Sequence, residues 1–587
     1  MAGGGEPRGD GRAKPCIAAT VESADRKEAT IGVAASTAPR SRSWLAYRSM
    51  IVRAWLTLRV HWDAFSSSPL GYVQAALWRA RGLRVRSRHR LAALMGPSTS
   101  AYALWIARLE PRIHAELVQI PVSRLPVILT IVSVPRGDHA SSTTLESIAD
   151  GGASSRPILI GGVPAERAVH LDTASQVAAL VAPTGTWLCI LNDGDRLAST
   201  ALAIYARAVA ANPDRWIIYS DDDLIQNGRR TNPHFKSDWN SELFDHHDFI
   251  TGSAIVRATP EMVLGLSGDD WAGQLVLAGL GRGDPVHVPA VLHHRRARPG
   301  PRIPPKPTVI VDETAPLVSV IIPTRNQLPL LRTCIEGLVA TSYPRTEVIV
   351  IDNGSDDPAT LAYLDELRGG GVEVLTIDGP FNFSALNNSA AALASGDLIC
   401  FLNNDIEIID PDWLSLLVRK AVRDDLGAVG GRLLYPDGTI QHAGVVTGVG
   451  GGAAHAHRFQ REDEDGYFSR DRLPQRVSAV TAACLVVSKQ KFEAVGGFNE
   501  RDFPVAFNDV DLCLKLNRHG WQSFYEPRAV LIHHESKSRG SDSAKENRQR
   551  FAEELAALKR HWGTDCTRDP YHHPNLSPFC EKFVIGL

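Results

Sequence analysis

At 587 residues the chain exceeds what one compact core holds, which predicts two or three domains. Apolar residues at 44% and charged residues at 22% describe a globular protein, and a formal net charge of −2 argues against a general nucleic-acid binder. No apolar run approaches the roughly 20 residues of a membrane-spanning helix, and the N-terminus has no apolar signal-peptide core.

Residues 1–43 are rich in Gly, Ala, Ser and charge without periodicity, and read as a disordered tail. A basic helical segment, 44–125, follows. Within 44–97 it carries arginines 48, 53, 59, 79, 81, 84, 86, 88 and 90 against a single acid, Asp63. Trp44, Ile51, Trp55, Leu58 and Trp62 recur at helical spacing on one face. Trp beside Arg predicts peripheral contact with anionic lipid on the cytoplasmic face of the membrane. Packing on a neighbouring domain is the plainer alternative.

From residue 126 short apolar runs alternate with helical stretches. PVILTIVSV, PILIGG and WLCILND form a first unit, 126–298, and a Pro-rich linker, 299–316, closes it. VSVIIPT, EVIVIDNG, GVEVLTID and DLICFLNND form a second unit, 317–540, followed by a helix and packing tail, 541–587. This alternation predicts an α/β fold: two tandem Rossmann-like units with mostly parallel sheets. Cysteines 16, 189, 334, 400, 484, 513, 566 and 580 show no CxxC spacing and mostly sit in apolar runs, which predicts buried thiols in a reducing, cytoplasmic setting.

In open α/β sheets ligands bind at the carboxyl ends of strands. Three strand ends of the second unit turn polar together: Thr324-Arg325-Asn326, Asp352-Asn353-Gly354-Ser355-Asp356 and Asn403-Asn404-Asp405. With FNFSALNNSAAALASGD, FNDVDLCLKL and IHHESKSRG, these motifs stand in the order of one family. From Val318 to about Gly540 the chain resembles the inverting glycosyltransferases of family 2, with a GT-A nucleotide-sugar fold. It is most similar to the subgroup that builds cell-surface polysaccharides such as O-antigen, often from rhamnose donors.

The resemblance implies a nucleotide-diphosphate sugar donor, a lipid-linked or polysaccharide acceptor, and a divalent cation, Mg²⁺ or Mn²⁺. The family's Asp-x-Asp metal motif reads Asn403-Asn404-Asp405 here, with Asp405 as the carboxylate ligand and Asn403 a neutral contact. His533 is the implied second ligand, with His534 its rival. Asp352 is expected at the nucleobase, with Thr324, Asn326, Asn353 and Ser355 nearby. Asn382 and Asn387 are expected at the diphosphate. Leu386 stands where the wider family often has arginine, which shifts part of the phosphate binding to Arg325. Asp509 is the expected general base, in the Asn508-Asp509 pair where the family usually has Glu-Asp. Asp511 is expected to orient acceptor or helix start, and Asn508-Asp509 could equally cap the helix that follows.

LCILNDGD in the first unit looks like a copy of CFLNNDIE. Aligned without gaps, Asn192 meets Asn403, Gly194 meets Asp405, and Asp193 and Asp195 flank that position. His293 stands for His533, and Asp270 is kept while Ala272 replaces a second expected acid. Gly161-Gly162 stands where the second unit has Asp352, which predicts a degenerate partner domain. A bifunctional chain using Asp193, Asp195, Asp270 and His293 is the alternative, and a non-catalytic binding scaffold is the rival from another class. A nucleotide-dependent oxidoreductase is excluded, because PTRNQL carries no GxGxxG turn.

Overall fold

The computed structural model describes residues 40–587, apart from 121–125, 153–155, 309–313, 462 and 536–546. Most of the proposed N-terminal tail, Cys16 and the end of the IHHESKSRG motif lie outside the described residues. Val52–Leu587 forms one compact unit that contains both sheets.

The basic segment is helical: α1 (Arg40–Ser67), α2 (Pro69–Ala80), α3 (Arg84–Met95), α4 (Ala101–Arg108) and α5 (Glu110–Val118). The first sheet holds β1 (Ile128–Ser133), β2 (Ile158–Ile160), β3 (Val169–Leu171), β4 (Thr186–Asn192), β5 (Arg196–Leu197), β6 (Ile217–Gln226), β7 (Arg229–His234), β8 (Ala254–Ala258) and β9 (Val286–Arg295). The second sheet and its hairpins comprise β10 (Val318–Thr324), β11 (Thr346–Asp352), β12 (Glu373–Thr376), β13 (Leu398–Leu402), β14 (Ile406–Ile408), β15 (Leu426–Leu434), β16 (Ile440–His442), β17 (Val445–Thr447), β18 (Ala453–His455), β19 (Gln475–Val477), β20 (Cys484–Ser488) and β21 (Gln522–His533).

The strand orders are β3-β2-β1-β4-β8-β6-β9-β5 and β12-β11-β10-β13-β20-β15-β21-β14. Substituting β10 for β1, β13 for β4, β20 for β8 and so on converts one into the other, so the repeat seen in sequence is a repeat of topology. In each sheet the first four strands run parallel, after which β8 or β20 reverses direction. The continuous apolar runs are explained by burial on both faces. In the second sheet Ile321, Ile351 and Phe401 pack into one core, while Val320, Ile322, Cys400 and Leu402 pack into the other. The first sheet divides alike, Ile131 and Ile190 against Val132 and Leu191.

The C-terminal segment fastens the two sheets. Helix Arg548–Trp562 buries Ala557 and Leu558 in the second unit's core. The chain then crosses to the first unit, where Pro570 O accepts from Asp238 N at 2.8 Å and Leu576 packs with Tyr102, Trp105 and Phe235. The described cysteines are free thiols, all buried except Cys566.

Candidate active site

The parallel register of β10 and β11 sets Thr324 beside Asp352 at the edge of the second sheet. β13 ends one strand away, and a turn of three residues, closed by Ile406 N to Asn403 O at 3.2 Å, carries Asn403, Asn404 and Asp405 into β14. β14 pairs antiparallel with the end of β21, Ile406 opposite His533. That pairing brings Asp405 Oδ1 to 3.2 Å from His533 Nε2, with both residues almost fully buried. His533 Nδ1 has no hydrogen-bond partner among the described residues. His534, the next residue, points to Glu407 instead, at 2.8 Å.

These residues line a cavity of about 660 Å³ together with Thr324, Arg325, Asn403, Asn404 and Asp509. Asp509 enters from helix Asn508–Arg518, whose N-cap is Phe507 in a left-handed conformation (φ 61°). Neither Asn508 nor Asp509 is the cap, so the capping alternative does not hold. Asp509 Oδ2 accepts from Ala482 N at 3.2 Å. Burial pushes its carboxyl above the ordinary range, against the hydrogen bonds from Ala482, Val510 and Thr481. A carboxylate with a raised pKa, opening on a cavity of ligand size, is suited to accept a proton.

The other expected residues of this unit do not line the cavity. Asn326 and Ser355 tie the first two strand-end loops together, Ser355 Oγ accepting from Asn326 N at 2.8 Å and Asn326 Nδ2 donating to Asp356. Asp352 accepts from Ser355 N at 3.0 Å, and Asn353 donates to Ile377 O at 2.8 Å. Asn382 caps helix Phe383–Leu393 through Ala385 N, and Asn387 donates to Phe383 O inside it. Asp511, in the first turn of the same helix, lines a second cavity with Lys515, Arg518, His561 and Trp562. Its carboxylate accepts from Trp562 Nε1 at 2.9 Å and pairs with Lys515 at 3.1 Å. Residues two apart on a helix point about 200° apart, so Asp509 and Asp511 cannot serve one pocket.

The cavity is also lined by Arg458, which no motif marked, and by Glu535. Arg458 donates to Tyr435 Oη at 2.8 Å and pairs with Glu535 at 3.1 Å, and Tyr435 donates to Glu535 at 2.7 Å. Arg458 belongs to the irregular segment after β18, where no periodicity signals a site. Only Glu535, two residues beyond His533, lay within a recognised motif.

In the first unit the equivalent edge is filled from within. Asp193 accepts from Ser141 N, Asp195 from Arg296 N, and Asp270 lies exposed at the start of helix Trp271–Leu280. His293 is fully buried against Tyr205 Oη at 2.9 Å, and burial pushes its imidazole down to about 3. Gly161 and Gly162 have φ of 76° and 66°, and a Cβ on either would lie 2.5–2.6 Å from Val134. No side chain could stand there in the role of Asp352.

Instead β6 brings three consecutive carboxylates inward, each with its own partners. Asp222 meets Lys236 at 2.8 Å and Arg298 at 2.5 Å; Asp223 meets Arg230 at 2.6 Å and His294 at 2.8 Å. Asp221 meets His287 at 3.0 Å and, from the C-terminal tail, His573 at 2.7 Å. Burial pushes the Asp221 carboxyl up, but His573 and His287 more than offset it and hold it low. Asp221, His287 and His573 have ligand atoms within 4.8 Å of one another. However, Asn575 N donates to His573 Nδ1 at 2.9 Å, so the ring proton sits on Nε2, facing Asp221. A protonated ring nitrogen has no lone pair for a metal, and the trio is a clasp of one hydrogen bond, His287 to Asp221, and one ion pair, His573 to Asp221.

At the second unit's edge no such contact fixes the ring proton on His533 Nε2, because its Nδ1 makes no hydrogen bond among the described residues.

Residues 319–496 match the family described as Glycosyl transferase family 2. A Sinorhizobium fredii protein designated y4gI is 38% identical over 71% of this chain and 51% of its own length. The O-antigen biosynthesis protein RfbC of Myxococcus xanthus is 33% identical over 83% of this chain and 43% of its own. An N-acetylglucosaminyl-diphospho-decaprenol L-rhamnosyltransferase of Mycobacterium tuberculosis is 28% identical over 40% of this chain and 80% of its own. The chain thus spans about half the length of the first two relatives.

Proposed function

We propose that this chain, which carries a glycosyl transferase family 2 domain at residues 319–496, transfers a sugar with inversion from a nucleoside-diphosphate donor to a lipid-linked or polysaccharide acceptor. The observation that carries the reading is one cavity lined by both Asp509 and the Asp405–His533 pair. Thr324 and Arg325 at the sheet edge bind the donor's nucleotide and phosphate side, with Asp352 behind them. Asp405 and His533 hold a divalent cation, Mg²⁺ or Mn²⁺, with Asn403 alongside. When bound, the cation neutralises charge developing on the departing diphosphate.

Asp509 takes the acceptor hydroxyl's proton as that oxygen forms its bond to the anomeric carbon. The bond from the anomeric carbon to the phosphate oxygen breaks, and its electron pair leaves with the nucleoside diphosphate. Attack from the face opposite the leaving group inverts the centre, and no covalent enzyme intermediate is needed. Arg458 and Glu535, held by Tyr435 from behind, offer a donor and an acceptor for acceptor hydroxyls within the same cavity. The relatives named for O-antigen biosynthesis and for rhamnosyl transfer to a lipid diphosphate support a cell-surface glycan, with rhamnose as the first donor to try. In this reading the first unit takes no donor, since its edge carboxylates are engaged by internal partners.

The test is donor turnover and transfer across a panel of nucleotide sugars, with Mg²⁺, Mn²⁺ or chelator. Asp509→Asn should lower kcat by about 10²–10⁴-fold with donor binding retained, whereas Asp193→Ala should leave turnover intact. If Asp193→Ala removes one of two products, the chain has two active units. If no donor binds or turns over with any cation, the scaffold reading replaces this one.

A further inference from the structure

Helix α1 is apolar on two opposite sides, and only one of them is covered. Leu56, Val60 and Ala64 turn inward, at most 8% exposed, with Leu56 and Val60 packed on Leu104 of α4. Trp55, Leu58 and Trp62 point the other way and are 59, 70 and 63% exposed. Their spacing places them on one side of the helix. Phe65 extends this stripe, 6.1 Å from Trp62 and edge-on to Tyr72 of α2 at 5.9 Å. Leu70 and Val73 of α2 add further exposed apolar surface. Solvated proteins leave large contiguous apolar patches of this kind at places where something binds.

The charge around the stripe indicates what binds. Residues 52–97 contain eight arginines, no lysine and one acid, so eight minus one gives +7. The acid, Asp63, is already held by Arg59 and by Ser98 Oγ. Arg88 stacks on Phe579, and Arg53, Arg59, Arg79, Arg81, Arg84 and Arg86 are exposed. A second copy of this surface would set +7 against +7. None of the described helices is long and apolar enough to cross a membrane, so a helix of this composition would lie in the interface plane.

We propose that α1–α3 form a docking surface for an anionic lipid bilayer. Trp55, Leu58 and Trp62 enter the headgroup boundary while the exposed arginines bind lipid phosphates. Contact of this kind would hold the chain where lipid-linked acceptors reside, but it stands or falls independently of the donor chemistry.

The experiment uses the full chain and phosphatidylcholine vesicles with and without phosphatidylglycerol, read by co-sedimentation and tryptophan emission. Wild-type protein should bind only the anionic vesicles, with a blue shift, and should release as salt is raised. Trp55→Ser with Trp62→Ser should lower partitioning about tenfold or more. Arg79→Gln, Arg81→Gln and Arg84→Gln together should do the same while leaving the apolar stripe intact; this second variant carries the test if the first misfolds. Absence of wild-type binding, or equal binding to both vesicle types, overturns the proposal. So does a stable dimer in sedimentation velocity that the tryptophan pair dissolves, since a second copy would then be what covers the stripe.

Discussion

The two sheets share a strand order, yet their edges have opposite fates. In the first unit β6 presents Asp221, Asp222 and Asp223, and each is engaged by cations or imidazoles of the protein itself. In the second unit Asp405 and His533 meet each other at the wall of a cavity that Asp509 also lines. Carboxylates at a strand end therefore do not by themselves make a ligand site. A site also needs room for a ligand: the first unit's three carboxylates are closed over by internal partners, whereas the second unit's pair lines a cavity of about 660 Å³.

Breaking the buried network should produce the largest effect. Lys236 is fully buried beside Asp222, so Lys236→Met would leave that carboxylate to Arg298 and without its fully buried cation. Loss of one partner of a buried pair costs about 3–5 kcal/mol. Chemical denaturation should show that loss, while turnover per folded molecule stays near wild type. The reciprocal change is Asp405→Ala, expected to lower kcat by about 10²–10³-fold, the range for losing one preorganised electrostatic contact. Its effect on folding should stay within about 1 kcal/mol. If Asp405→Ala unfolds the protein, or Lys236→Met abolishes turnover in the folded fraction, the division between the two edges fails.

Much of this was legible in the sequence, for local reasons. An apolar run that stops at Asn403-Asn404-Asp405 marks both a buried strand and its edge, and the repeated motif order announced two units. Gly161-Gly162 signalled that the first unit lacks a carboxylate at β2, and the tight approach of Val134 gives the reason. Direction was harder to read. Asp509 and Asp511 separate into different cavities because the helix begins at Asn508, a boundary that capping chemistry did not mark since the N-cap is Phe507. Partners distant in sequence were not legible at all: Asp221 is closed by His573, more than 350 residues away, through a tail whose route only the fold reveals. Arg458 reaches the cavity from a glycine-rich stretch without periodicity.

The finest distinction between the edges concerns Asp195, whose Oδ1 accepts from Arg296 N at 2.8 Å while Oδ2 is buried with no hydrogen-bond partner among the described residues. Burial pushes its carboxyl up from 3.8 to about 6. A folded-state pKa above the unfolded value means the native state binds the proton more tightly. The associated stability is fully present below pH 3.8 and is lost as pH rises through about 6. Asp195→Asn keeps an acceptor for Arg296 and cannot ionise, so it should be more stable than wild type by about 2–3 kcal/mol at pH 8. That advantage should shrink steadily as urea unfolding is repeated toward pH 5. An advantage that does not change with pH would show that Asp195 ionises at no cost, and the first unit's edge would then retain a carboxylate comparable to Asp405.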